Sequence, residues 1–161
     1  MTDNTVKAYN AKQEDQAEKF MRFMSGVQAW VFKKTNGYLF NTFFFMAPVG
    51  ILTTKGRKSG EWREASLVYG KIDGKIIIIA SKAGCSTNPL WYLNLKTNAE
   101  CKMQTRGNPV NMRAREAEGE EKDYYWNKML TVYKGFNTYR ARANNASGRT
   151  VPLIVLEPII C

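Results

Sequence analysis

Two strand-like runs, Arg63 to Tyr69 and Ile76 to Ala80, are joined across little more than the turn pair Asp73-Gly74. An Asp-Gly pair tolerates the positive φ angles of a tight hairpin, so the strands it joins are antiparallel. A parallel crossover would need a dozen or more residues. The same short spacing recurs along the chain. Val49 to Thr54 reaches Arg63 through Lys55-Gly56-Arg57-Lys58-Ser59-Gly60, and Cys101 to Thr105 reaches Val110 to Ala117 through Gly107-Asn108-Pro109. With a last strand at Pro152 to Glu157, about six short strands result, and a Rossmann-type parallel sheet is excluded.

Helical periodicity fills the remainder. From Gln13 to Lys34, Ala17, Phe20, Met21, Met24, Val27 and Val31 recur at helical spacing, widened by Phe23 and Trp30 and flanked by Lys19, Arg22, Lys33 and Lys34. Two readings of this helix stand: it packs on the domain, or it lies as a basic amphipathic helix on a membrane surface. Asn36-Gly37 stops it, and an aromatic connection with Phe40, Phe43, Phe44 and Phe45 follows. Asn88-Pro89 reads as an N-cap and first helical residue, opening a short helix to about Lys96. Glu120 to Tyr133 places acids in its first turn and Trp126, Met129, Leu130 and Tyr133 on one face. A further short helix runs from Phe136 to Ala143. These elements predict an α+β chain: a small antiparallel barrel packed by an N-terminal helix and C-terminal helices. At 161 residues one domain is expected, with 1–12 loosely held and 13–161 forming the barrel domain.

Charge and missing residue types narrow the chemistry. Lys and Arg number 24 against 14 Asp and Glu, a net charge of +10. Glu116, Glu118, Glu120, Glu121 and Asp123 lie in one stretch, so the rest of the chain is more basic still. Such a surface suits an anionic ligand, anionic lipid or nucleic acid. There is no histidine, which removes Ser-His-Asp and Cys-His catalysis and any His general base. Cys85, Cys101 and Cys161 form no C-x-x-C pair, so reduced thiols are expected and a metal site is not. The polar start of the chain resembles no signal peptide, which gives a cytoplasmic expectation, with contact at the inner face of the membrane through the first helix.

Two clusters carry candidate chemistry. The turn Gly56-Arg57-Lys58-Ser59-Gly60 sets two cations, a hydroxyl and unpaired backbone N–H groups at a strand end. That suits a phosphate or carboxylate, though a solvated basic hairpin has the same composition. It is no Walker A loop, since no helix follows. The second cluster is Ser81-Lys82-Ala83-Gly84 with Asn88-Pro89-Leu90-Trp91-Tyr92, where small residues permit close approach to the backbone. Trp91 and Tyr92 could cover a planar ring or simply pack in the core.

Together, Leu52-Thr53-Thr54-Lys55-Gly56-Arg57-Lys58-Ser59-Gly60, Ala80-Ser81-Lys82-Ala83-Gly84, Asn88-Pro89-Leu90-Trp91-Tyr92-Leu93-Asn94 and the tail Arg149 to Pro158 resemble the deazaflavin-dependent nitroreductase family. The resemblance covers roughly Trp30 to Pro158. It implies a split β-barrel that binds reduced coenzyme F-420, a deazaflavin with a phosphate and an oligoglutamate tail. It also implies hydride transfer to a quinone, a nitro compound or another electron-poor acceptor. By matching position, Lys55, Gly56, Arg57, Lys58, Ser59 and Arg63 would hold phosphate and tail. Ala80, Ser81, Lys82, Trp91 and Asn94 would lie near the deazaflavin, with Leu67, Val68, Ala83, Asn88, Pro89, Leu90 and Tyr92 around them. Ser81, Tyr133 and Tyr139 are the implied catalytic side chains. Where the family has a tyrosine, Val68 stands here; Tyr69 is offset by one residue and so faces the other side of its strand. Phe136 replaces the middle of three family tyrosines, and Asn144 to Ser147 reads as a short insertion. A zero-histidine, metal-free chain suits cofactor chemistry, because the hydride belongs to the cofactor. The competing readings are an FMN-binding split-barrel oxidoreductase and a non-catalytic basic protein on nucleic acid or anionic membrane. Nucleic acid is not expected, since the cations do not gather in one run.

Overall fold

Six antiparallel strands close on themselves in a computed structural model that describes residues 5–39, 41–43 and 47–160. The chain order is α1 (Ala11–Lys34), β1 (Thr42–Phe43), β2 (Ala47–Lys55), β3 (Trp62–Ile72), β4 (Lys75–Ile79), a 3-10 turn (Lys82–Gly84), α2 (Leu90–Thr97), β5 (Glu100–Gln104), β6 (Val110–Glu116), α3 (Gly119–Val132), α4 (Gly135–Ser147) and β7 (Leu153–Pro158). The sheet runs β1-β2-β3-β4-β7-β6-β5, and pairing of β2 with β5 closes the barrel. The two-residue β1 has no counterpart in the sequence reading and only extends one edge. Phe40, Phe44 and Phe45 of the aromatic connection lie outside the described residues, as do the first four residues and Cys161.

Closure depends on one glycine in mid-strand. A Cβ on Gly50 would sit 2.6 Å from Met103 Cε and 2.9 Å from the Gln104 carbonyl oxygen, so only glycine lets β2 approach β5.

Strand alternation divides the core. Ile76 and Ile78 face the barrel interior with Leu52, Tyr92, Met103, Met112 and Leu156. Ile77 and Ile79 face outward, under α3 and α4, with Trp126, Met129, Phe136, Leu153 and Val155. The four-isoleucine run is thus buried on both faces, which is why it shows no alternation in sequence. The same alternation puts Leu67 and Tyr69 against the interior and Val68 against the helix-covered side, so Tyr69 does not stand in for Val68.

Three helices depart from expectation. α1 begins at Ala11, two residues early, because Asn10 forms a reciprocal capping box with Gln13. Ahead of it, Asn145 donates to the Val6 carbonyl and Arg142 to the Tyr9 hydroxyl, tying part of the 1–12 stretch to α4. α2 starts at Leu90, with Pro89 as its N-cap residue and no side-chain cap. Asn88 is not the cap: its amide oxygen accepts instead from Arg149 Nη1 at 2.9 Å, and the residue before a proline is held extended. Asn144 to Ser147 continue α4 to its C-cap at Gly148, φ 68°.

The largest departure is the orientation of α1. Its barrel-facing contacts are chiefly polar: Glu14 to Ser86, Glu18 to Lys82, Ser25 and Gln28 to Ser66, Lys33 to Glu64. Only Ala29 and Phe32 are buried. Phe20, Phe23, Met24, Val27 and Trp30 face solvent, with Phe23 68% exposed and Trp30 64%. The apolar stripe read from the sequence is real, but it points away from the barrel.

Candidate active site

The basic turn between β2 and β3 is fastened to α2 by one side chain. Asn94, buried, accepts from the Arg57 backbone N–H at 3.2 Å and donates to Thr54 Oγ1 at 3.1 Å. Within the turn, the Gly56 N–H donates to the Glu61 carbonyl and the Gly60 N–H to that of Gly56. Lys55, Arg57, Lys58 and Ser59 are exposed. Among the described residues, neither Arg57 nor Lys58 has an ion-pair partner, whereas Arg63 pairs with Glu61 at 2.6 Å. Two uncommitted cations at the end of a fixed strand form a surface that attracts anions.

The loop after β4 is held from below by Arg149. Its guanidinium donates to the carbonyls of Ala80 (3.0 Å), Ser81 (2.7 Å) and Cys85 (3.0 Å) and to Asn88 Oδ1 (2.9 Å). None of these acceptors is charged, and burial lowers the Arg149 pKa from its ordinary value. This planar fork shapes a backbone that would not hold itself. Lys82 (φ 47°) and Ala83 (φ 52°) are both left-handed, followed by Gly84 at φ 81°, and each non-glycine residue there costs roughly 1–2 kcal/mol. Lys82 Nζ donates to Glu18 at 2.6 Å and to Thr87 Oγ1 at 2.8 Å.

α4 closes one side of this loop. A Cβ on Gly84 would meet the Tyr139 carbonyl oxygen and Arg142 Cβ, each at 2.8 Å. The helical break at Tyr133 and Lys134 turns α4 so that the Tyr133 and Tyr139 hydroxyls lie 3.1 Å apart. Phe136, buried, packs edge-on to both rings. Burial, and then the Tyr133 hydrogen bond, push the Tyr139 phenol well above its usual range. It is therefore a neutral hydrogen-bond donor at physiological pH, not a base. Val68 shares this cluster.

The sequence-derived residues thus fall into connected groups. Asn94 joins the Gly56–Gly60 turn to α2, Asn88 and Arg149 join α2 to the Ala80–Cys85 loop, and Gly84 joins that loop to Tyr139. Two of them face elsewhere. Tyr92 is buried in the barrel and donates to Glu116 Oε2 at 2.8 Å, with its pKa pushed up to about 12 by burial and that carboxylate. Trp91 packs edge-on against Tyr92, partly buried on the interior cluster, while Leu90 is exposed. Neither aromatic ring of α2 is a free platform.

The family model for F420H(2)-dependent quinone reductase matches residues 24–158. The chain belongs to this family. It is 30% identical to Rv3178 of Mycobacterium tuberculosis over 111 residues, 69% of this chain and 90% of that one. It is 27% identical over 126 residues to the F420H(2)-dependent quinone reductase Rv1261c of the same organism, 78% of this chain and 84% of that one. A solved structure described as an F420-H2 dependent reductase (FDR-A) superposes with a TM-score of 0.60 at 32% identity, covering 68% of this chain and 94% of that one.

In this family member, sequence reasoning passed over Glu14, Glu18 and Ser86. It included Arg149 in the family-like tail but gave it no role, since its acceptors lie more than 60 residues away.

Proposed function

We propose that the chain transfers a hydride from reduced coenzyme F-420 to a quinone. The observation that carries this reading is the family match across residues 24–158, and the donors of the two loops suit an anionic cofactor. Arg57 and Lys58 are free of ion pairs among the described residues, and Lys82 and Ser86 already donate to carboxylates of this chain. Nothing favours FMN over the deazaflavin.

When bound, the coenzyme supplies the hydride. We assign Lys55, Gly56, Arg57, Lys58, Ser59 and Arg63 to its anionic tail. Ala80, Ser81, Lys82 and Ala83 are assigned to the edge of its ring, with Val68, Asn88, Pro89 and Leu90 beside them, while Leu67 and Trp91 support the site from the barrel's interior cluster. Tyr92 and Asn94 act as supports, one inside the barrel and one under the turn. A quinone that accepts hydride gains negative charge on oxygen. The Tyr133 and Tyr139 hydroxyls, paired at 3.1 Å, suit donation of a hydrogen bond or proton to that oxygen. The backbone around Ser81 is pinned by Arg149, so groups there need no reorganisation during transfer. Anaerobic mixing of reduced coenzyme with menadione tests the reading, with recovery of the oxidised coenzyme's absorbance as readout. Oxidation at the uncatalysed rate would refute it.

For the outer face of α1 we propose an anionic membrane surface as partner. No helix among the described residues is long and apolar enough to cross a membrane. Five exposed apolar side chains beside Lys19 and Arg22 suit a helix lying in the interface. Sedimentation with phosphatidylglycerol vesicles, but not phosphatidylcholine vesicles, is expected. Loss of that binding in Phe20→Glu/Phe23→Glu would support the surface, and equal sedimentation of variant and wild type would refute it.

A further inference from the structure

Two carboxylates of α1 occupy hydrogen-bond donors on the loop after β4. Glu14 Oε1 accepts from both the backbone N–H and the hydroxyl of Ser86, each at 2.7 Å. Glu18 Oε1 accepts from Lys82 Nζ at 2.6 Å, and the side chains are only 17% and 32% exposed. A backbone N–H, a hydroxyl and an ammonium, with the Arg149 guanidinium near enough to feel the Glu14 charge, form a receptor for anions. The chain has filled it with its own acids. Cys85 lies within 4.8 Å of both carboxylates, but its thiol is pushed up to about 11, first by burial and then by Glu14. Both carboxylates are already engaged, Glu14 by Ser86 and Glu18 by Lys82.

The segment that supplies these acids is anchored on either side by polar contacts, Val6 and Tyr9 to α4 and Ser25 to Ser66, and not by a packed apolar face. From Ala11 to Met24, α1 buries no residue, and its buried pair, Ala29 and Phe32, lies in the second half. With little apolar area to lose, the first half can leave the loop at low cost.

We propose that the N-terminal half of α1 is an internal competitor: Glu14 and Glu18 hold the donors that an anionic ligand would take, and binding exchanges one set of acceptors for the other. This rests on the reading that the chain binds coenzyme F-420, and the groups concerned are the hydrogen-bond-accepting atoms of the ring edge assigned to this loop. Occupied donors reduce apparent affinity by the fraction of molecules in which they are free. Removing one competitor's charge should therefore tighten binding.

The test is titration of the full chain with coenzyme F-420, followed by fluorescence anisotropy. Glu14→Gln and Glu18→Gln should each raise affinity by about ten-fold, taking one charge-assisted hydrogen bond as the scale. Asp15→Asn removes the same charge from an exposed pair with Lys19 on the same helix, and should change affinity by less than about two-fold. Unchanged or weaker binding by the Glu14 and Glu18 variants, with wild type binding normally, would overturn the competitor alone. Absence of binding by wild type and variants alike would overturn the functional reading and the competitor with it. Hydrogen exchange on wild type gives a check independent of substitutions. Saturating coenzyme should speed exchange of the amides from Ala11 to Met24, and unchanged or slower exchange there would refute the displacement.

Discussion

Arg149→Met should be among the most damaging single changes outside the hydrophobic core. The substitution keeps most of the aliphatic volume but removes every donor. Four acceptors then lose a donor: the carbonyls of Ala80, Ser81 and Cys85, and Asn88 Oδ1, of which the Ser81 carbonyl keeps the Gly84 N–H. Hydrogen bonds to a charged group contribute about 1.5–3 kcal/mol each, so a simple sum would rival the whole stability of a domain. Two effects reduce it. The guanidinium is half-buried, and its removal recovers the desolvation that lowers its pKa; the loop can also open to water. A net loss of about 3 kcal/mol is a reasonable expectation, or about 6–12 °C in Tm for a chain of this size. Strain adds to the consequence, because Lys82 and Ala83 stay left-handed only while the loop is over-determined. Arg149→Lys should recover only part of the loss, since an ammonium cannot reproduce the planar fork. Thermal unfolding followed by circular dichroism measures all three proteins. A Tm for Arg149→Met within about 1 °C of wild type would show that the loop holds its shape without the fork.

Three further outcomes are expected. Arg57→Ala with Lys58→Ala should weaken coenzyme binding several-fold at low ionic strength and much less at 0.5 M salt, because exposed charges are screened; titrations at the two salt concentrations that give the same affinity as wild type would remove the turn from the site. Tyr133→Phe should slow quinone reduction by about ten- to a hundred-fold with coenzyme affinity unchanged, and equal rates on several quinones would leave the paired phenols a packing role. Burial raises the Cys85 and Cys101 thiols from 9.0 to about 11 and about 12. Both should therefore resist iodoacetamide at pH 8 until the protein unfolds. Since these folded pKa values are raised, the stability the thiols contribute is intact below about pH 9 and is lost as pH climbs toward 12. Cys101→Ala should shrink the fall in Tm between pH 8 and pH 10.5; an undiminished fall would locate the alkaline sensitivity elsewhere.

Local chemistry made much of the architecture legible. Asp73-Gly74 and the glycine-bounded turns force antiparallel neighbours, so six strands and the absence of crossovers follow from spacing alone. The 3.6-residue periodicity of α1 and α3, and the end of α3 near Tyr133, depend only on neighbours within a turn or two. The one-residue offset of Tyr69 from Val68 needed nothing beyond strand alternation, and the two side chains do pack on opposite faces. The basic turn is equally local: its cations are adjacent in sequence.

Tertiary structure decided what those elements face. Amphipathicity identifies an apolar stripe but not the neighbour that covers it, and α1 meets the barrel through Glu14, Glu18, Ser25 and Lys33 instead. Those partners, Ser86, Lys82, Ser66 and Glu64, lie 31 to 72 residues away, beyond the reach of any local pattern. Asn88 has the composition of a helix cap, yet Arg149, 61 residues later, takes its side chain. A cap and a tertiary hydrogen bond compete for the same oxygen, and only the packed chain settles which donor arrives. The tyrosine pair shows the same division: two separate helices, meeting between Tyr133 and Phe136, are read from the sequence, while the 3.1 Å meeting of the two hydroxyls depends on how both helices pack over Ile77 and Ile79. Short-range sterics and periodicity act through the backbone that carries them, whereas a side chain's partner is set by the closure of the whole barrel.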